Sequence, residues 1–219
     1  YTFYDENSAG RMLRESDLPE LGDDVAAVLF GCISLIAEPC GSVYETLMAR
    51  EAPRRVMYLD PNIREIFIAD RQKHLARMRR MIVLADIVKL SDEDLAWFAE
   101  PGEEHEVIRR WLTLGPKLIV VTRGADGADA WTADFHLHVP AIRVAVADTV
   151  GAGDTVNAGI LASLSQAGLL EKEKLVTLSR EQVRRAVDLG MRAAAVTVSR
   201  PGANPPWDHE LRSQQRPGL

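Results

Sequence analysis

Ala147-Asp148-Thr149-Val150-Gly151-Ala152-Gly153-Asp154-Thr155-Val156-Asn157-Ala158-Gly159 is the run on which the fold turns. Residues 143–147 read as a β-branched strand, Gly151-Ala152-Gly153 as a tight turn, and the small residues from about Asp154 onward as a helix. A turn of this kind leaves main-chain N–H groups unpaired at a helix N-terminus, which makes an anion site. Residues without bulky side chains let a phosphate oxygen approach the backbone. Asp154 then has two readings. It caps the helix, or it is a general base beside the anion site.

The flanking sequence repeats one pattern, strand followed by helix. The apolar run 26–30 reads as a buried parallel strand, and 55–59, 85–90 and 117–121 read as further strands. Between them, 42–51, 70–81 and 103–114 carry helical spacing. Ser91 reads as an N-cap, with Asp92, Glu93 and Asp94 filling the first turn, where the helix dipole favours acids. Two further strands are predicted at 128–132 and 136–139, the latter placing His136 and His138 on one exposed face. Helices are predicted at about 153–167 and 180–196. The pattern predicts an α/β fold of three αβα layers around a mostly parallel sheet, in one domain over 1–219. The four prolines of 200–219 suggest a loop and then a flexible tail at 208–219.

Composition removes several classes of function. The chain has 219 residues and a net charge of -6, with no dense Lys/Arg block, so it does not read as a nucleic-acid binder. No run of about 18 apolar residues is present, so no membrane partner is expected. Two cysteines, Cys32 and Cys40, form neither a disulfide framework nor a zinc site, which makes a reducing cytoplasm the default compartment. The chain opens Tyr1-Thr2-Phe3-Tyr4 with no Met and a strand already under way, so an upstream segment is expected to be missing.

The string Asp148-Thr149-Val150-Gly151-Ala152-Gly153-Asp154-Thr155, continuing Val156-Asn157-Ala158-Gly159, resembles the second signature of the ribokinase-like (PfkB) carbohydrate kinases. The likeness runs over the whole chain, as roughly the C-terminal two thirds of a family member. It implies a ribokinase-like fold whose lid is largely absent here, with 1–8 a remnant of the lid's return strand. It also implies that Asp154 is the catalytic base, that Gly151, Ala152 and Gly153 form the anion hole, and that ATP and Mg2+ are used. In some relatives a monovalent cation, K+, sits beside that hole, and Asp148 with the Val150 carbonyl would hold it.

Other positions gain a role through the same likeness. Thr122-Arg123-Gly124-Ala125-Asp126-Gly127 is by itself a turn after a strand; in the family the matching loop contacts ATP, which assigns Thr122, Gly124 and Gly127 to the nucleotide. Lys89 stands at a strand's C-terminal end, where open α/β sheets place ligands, and could reach a nucleotide phosphate. Similar kinases carry Asn-x-x-Glu where this chain has Ser91-x-x-Asp94. Asn62 and Arg64, in Asp60-Pro61-Asn62-Ile63-Arg64, fall where the family contacts phosphate and acceptor. Asn204 lies in a loop that flanks the adenine in relatives.

Phe3-Tyr4, Ser8-Ala9, the run 31–39 and the run 199–207 resemble the fructokinase branch, so fructose is the expected sugar. 2-Keto-3-deoxygluconate kinase, ribokinase-like enzymes and a non-catalytic nucleotide-binding relative are the alternatives. The expected partners are ATP, a small sugar and a second copy of the chain. No Gly-x-Gly-x-x-Gly follows the first strand and no Gly-x-x-x-x-Gly-Lys-Ser/Thr occurs, which disfavours a dinucleotide oxidoreductase and a P-loop kinase.

Overall fold

Residues 5–212 are described in the computed structural model, and their six strands form one sheet in sequence order. The strands are β1 (Ala27–Gly31), β2 (Val56–Asp60), β3 (Ile87–Ser91), β4 (Leu118–Thr122), β5 (Ala128–Trp131) and β6 (His136–Val139). β1 to β4 run parallel, and β5 and β6 return antiparallel as a hairpin at one edge. Gly31 pairs with Asp60 and Ser91 with Thr122, so the C-terminal ends of the parallel strands are level along one rim.

Helices α1 (Cys40–Glu51), α2 (Arg71–Leu84), α3 (Asp92–Trp97) and α4 (Glu104–Leu114) connect the parallel strands. After the hairpin come α5 (Ala152–Gln166), α6 (Lys172–Leu175), α7 (Arg180–Val198) and α8 (Asp208–Arg212). Side chains alternate across a strand, and the core divides accordingly. Met57, Leu59, Val88, Leu90, Ile119 and Val121 pack with α1, α2 and α4 on one face. Val56, Tyr58, Ile87, Leu118 and Val120 pack with α5 and α7 on the other. This is the expected three-layer αβα arrangement. β2 is buried at every residue, which explains its unbroken apolar run up to Asp60.

Local chemistry sets the helix starts. The Asp70 carboxylate accepts from the Lys73 N–H (2.9 Å) and caps α2. Ser91 and Asp94 form a reciprocal capping box at α3, with the Asp94 N–H on Ser91 Oγ and the Ser91 N–H on the Asp94 carboxylate. α5 and α7 touch through two glycines. A Cβ on Gly159 would lie 2.5 Å from Gly190 Cα, so neither position tolerates a side chain without moving a helix.

Three expectations need correction. Residues 143–147 are not a strand: they have no ladder partner among the described residues, Val144 and Val146 are exposed, and the N–H groups of Ala147 and Asp148 bond to Val198 O at the end of α7. Of the expected return strand 1–8, residues 1–4 lie outside the described residues. Residues 5–8 form a turn, closed by the Ser8 N–H on Asp5 O (3.0 Å) with Asn7 at φ +58°. The expected tail begins as a helix, because Glu210 accepts from the Trp207 N–H (2.8 Å) and pairs with Arg200, which fixes α8. The rest of that tail, 213–219, lies outside the described residues.

Candidate active site

Gly151 caps α5 with φ +78°, a conformation that suits glycine, and turns the chain into the helix. The first helical bond runs from the Thr155 N–H to Gly151 O (2.9 Å). The Ala152 N–H bonds to Thr149 O at 3.3 Å, whereas those of Gly151, Gly153 and Asp154 meet no acceptor among the described residues. The anion-receptive set is therefore the amides of 151, 153 and 154, with Ala152 contributing smallness more than a donor. Asp154 occupies the third helical position, so it is not the cap; its side chain is exposed and takes no hydrogen bond or ion pair from the described residues.

The loop before the helix is fastened from both sides. Asp148 Oδ1 accepts from the Val150 N–H (3.0 Å) and Oδ2 from the Gly202 N–H (2.9 Å). These main-chain donors, Val150 first, hold the Asp148 carboxyl below its ordinary range. Behind the loop, Thr197 Oγ1 donates to Thr155 Oγ1 (3.0 Å), tying the end of α7 to the start of α5.

Beside this turn opens a cleft of about 690 Å³, within the range of small-molecule sites. Thr122 and Gly124 stand on one wall, Ala152, Gly153 and Val156 on another, and Val144, Val146, Met191 and Ala195 supply apolar surface. The structure thus places Thr122 and Gly124 on the same cleft as Ala152 and Gly153 of the helix start. Val144 and Val146, read as strand residues, are wall residues. Gly127 does not line the cleft; a Cβ there would meet Val139 O at 2.2 Å, so its glycine serves the β4–β5 turn. Asn204 also lies outside the lining, exposed, with its N–H on Gly202 O (2.9 Å).

Lys89 is buried in β3, and its Nζ sits 3.0 Å from where a Gly153 Cβ would be. It pairs with Asp60 Oδ2 (3.1 Å), which also accepts from Asn157 Nδ2 (2.6 Å). Asn157 Oδ1 accepts from the Tyr58 hydroxyl (3.0 Å). Burial pushes the Asp60 carboxyl up, and Lys89 and Asn157 offset part of that shift. Reading the sequence placed weight on Asn62 and Arg64 here and passed over Asp60, Asn157 and Tyr58. In the structure Asn62 adopts φ +42°, the next N–H, that of Ile63, bonds to Asp94 Oδ1 (2.8 Å), and exposed Arg64 donates to Ile63 O (2.9 Å).

A mostly parallel α/β sheet, a cleft at its C-terminal rim and a glycine-lined helix start together make the arrangement in which open α/β sheets place anionic ligands. A sequence model of the pfkB family carbohydrate kinases matches residues 2–210, and the chain belongs to that family. It is 53% identical over 188 residues to a fructokinase of Rhizobium leguminosarum bv. trifolii, covering 86% of this chain and 58% of that protein. The fold superposes with a TM-score of 0.81 on a fructokinase from Vibrio cholerae O395 in a fructose-, ADP- and calcium-bound form. That match is 26% identical and covers 94% of this chain and 66% of the other. An aminoimidazole riboside kinase from Salmonella enterica, complexed with aminoimidazole riboside and an ATP analogue, gives 0.77 at 26% identity over 91% and 65%. The chain spans less than two thirds of the length of each of these three proteins. No helix among the described residues is long and apolar enough to cross a membrane.

Proposed function

We propose that the protein carrying this chain transfers the γ-phosphoryl group of ATP to a sugar hydroxyl, with fructose as acceptor and fructose 6-phosphate as product. The observation that carries this reading is an exposed carboxylate, Asp154, which follows Gly153 on the wall of a nucleotide-sized cleft and, like the Gly153 and Asp154 N–H groups, has no partner among the described residues. The family and the fructokinases among its relatives support the choice of acceptor.

In this reading the triphosphate lies along the N-terminal turn of α5, with the base against the apolar wall of Val144, Val146 and Met191. Asp154 accepts the proton of the sugar hydroxyl as the phosphoryl group arrives. The amides of Gly153 and Asp154 face the charge that gathers on the moving group. No group of three or more His, Cys, Asp or Glu side chains that could hold a metal ion is found among the described residues. Mg2+ would therefore be carried chiefly by the phosphates, where it neutralises charge, with few protein ligands. Each Asp148 oxygen has a further lone pair beyond its one N–H bond, which suits it, with the Val150 carbonyl, to a K+ ion.

The test is ADP release by the full-length protein with MgATP against a panel of fructose, ribose and 2-keto-3-deoxygluconate. The expected result is turnover with fructose at a kcat/KM at least about tenfold above the others, a margin of about 1.4 kcal/mol. Preference for another sugar overturns the acceptor, and ADP release with none overturns the kinase reading.

A further inference from the structure

Four side chains meet under the start of α5, and all are buried: Tyr58 0%, Asp60 2%, Asn157 3% and Lys89 4% exposed. They come from three elements. Tyr58 and Asp60 lie on one face of β2, Lys89 on β3, and Asn157 on α5 one turn beyond Asp154. Asp60 Oδ2 joins Lys89 to Asn157, and Tyr58 fixes Asn157 from behind. The second Asp60 oxygen, Oδ1, is buried with no partner among the described residues.

For stability alone this is a poor arrangement. A buried ion pair is often no better than apolar side chains of equal volume. The ammonium also faces Gly153 at the N-terminal end of a helix, where the dipole is positive and disfavours a cation. Two sources of positive potential, the ammonium and the free amides of α5, thus converge on one spot. Asp60 offsets the ammonium from one side, and an anion bound at the helix start would be favourable to the ammonium and the amides together.

We propose that Asp60 is a positioning residue for phosphoryl transfer, acting through Lys89. With Asn157 and Tyr58 it holds the ammonium under Gly153, so that fixed positive charge meets the migrating phosphoryl group. Asn157 extends the same hold to the helix that carries Asp154, and Gly153 leaves the ammonium room. The inference rests on the kinase reading above.

A double-mutant cycle on the full-length protein tests it, with kcat and both KM values measured for Asp60→Asn, Lys89→Met and the double variant. Asn at 60 keeps the shape and an acceptor for Asn157 while removing the charge that holds Lys89. The expected result is a kcat lowered by about 10- to 100-fold by Asp60→Asn, with the KM for fructose within about threefold of the parent. In the Lys89→Met background the same change should alter kcat by less than about threefold. Tyr58→Phe, which removes only the hydroxyl behind Asn157, repeats the test should Asp60→Asn fold poorly; its smaller kcat loss should also vanish without Lys89. A merely structural role predicts equal factors with and without Lys89, and that result, or an Asp60→Asn kcat within twofold of the parent, overturns the inference. An unmodified protein that turns over no sugar brings down the kinase reading and this inference with it. Turnover by the parent with an additive cycle brings down the inference alone.

Discussion

Replacing Gly159 by Ala tests the contact that holds α5 against α7. In a helix open to solvent this change stabilises, because Ala is favoured over Gly by about 1 kcal/mol. Here the new methyl would lie 2.5 Å from Gly190 Cα, 2.7 Å from Gly190 N and 3.0 Å from Leu189 C. Carbon atoms in contact prefer about 3.5–4.0 Å, so α5 and α7 must separate by about 1 Å. The obstructing atoms are backbone, which leaves no side chain to swing aside. Overpacking of this kind costs about 1–3 kcal/mol and more where backbone must shift. Because backbone must shift here, the upper part of that range, about 2–3 kcal/mol, applies; less the propensity gain of about 1 kcal/mol, the net loss is about 1–2 kcal/mol, or a melting temperature lower by roughly 2–8 °C for a domain of this size. Calorimetric melts of the parent and variant under one buffer condition provide the measurement. A Gly159→Ala protein as stable as the parent, or more stable, would refute the close helix approach, because the sign itself reports the clash.

Two further changes address other parts of the structure. His74 is buried against Trp97, with ring centroids 5.8 Å apart, and burial lowers its pKa from 6.5 to about 4. Its folded pKa is depressed, so the stability it contributes is present above pH 6.5 and lost as pH falls toward about 4. The full span is about 3 kcal/mol, at 1.36 kcal/mol per pKa unit. His74→Phe keeps the edge contact with Trp97 and should flatten denaturant-measured stability over that pH window; an unchanged slope contradicts the assignment. Asp148→Ala removes the acceptor for the Val150 and Gly202 amides, and should raise the KM for ATP about 3- to 30-fold with a smaller change in melting temperature. An unaltered KM would show that the loop holds its shape without Asp148.

Much of the fold was legible because its signals are local. The run 56–59 is apolar throughout because both faces of β2 are covered, and the Ser91–Asp94 capping box is complete within four neighbouring positions. The glycine-lined helix start was legible for the same reason. The misreadings share the opposite cause. Val144 and Val146 look like strand residues, but apolar β-branched side chains serve equally well as the wall of a cleft, and no partner strand lies beside them among the described residues. α6 is four residues long, with Lys172 reaching Asp86 at 2.6 Å, a contact no local pattern reveals. Asp60 and Asn157 are 97 residues apart in sequence, so their joint hold on Lys89 exists only in the folded chain. Gly127 and Gly124 looked equivalent in the sequence, and only packing against Val139 separates the turn glycine from the cleft glycine.

The central claim is that Asp154 takes a proton in the transfer step, and Asp154→Asn in the full-length protein tests it most directly. The exposed side chain takes no hydrogen bond or ion pair from the described residues, so the change leaves the helix start intact. Single-turnover phosphorylation of fructose should slow by about 10²- to 10⁴-fold, with ATP affinity within about threefold of the parent. Near-normal turnover with intact ATP binding would contradict the account.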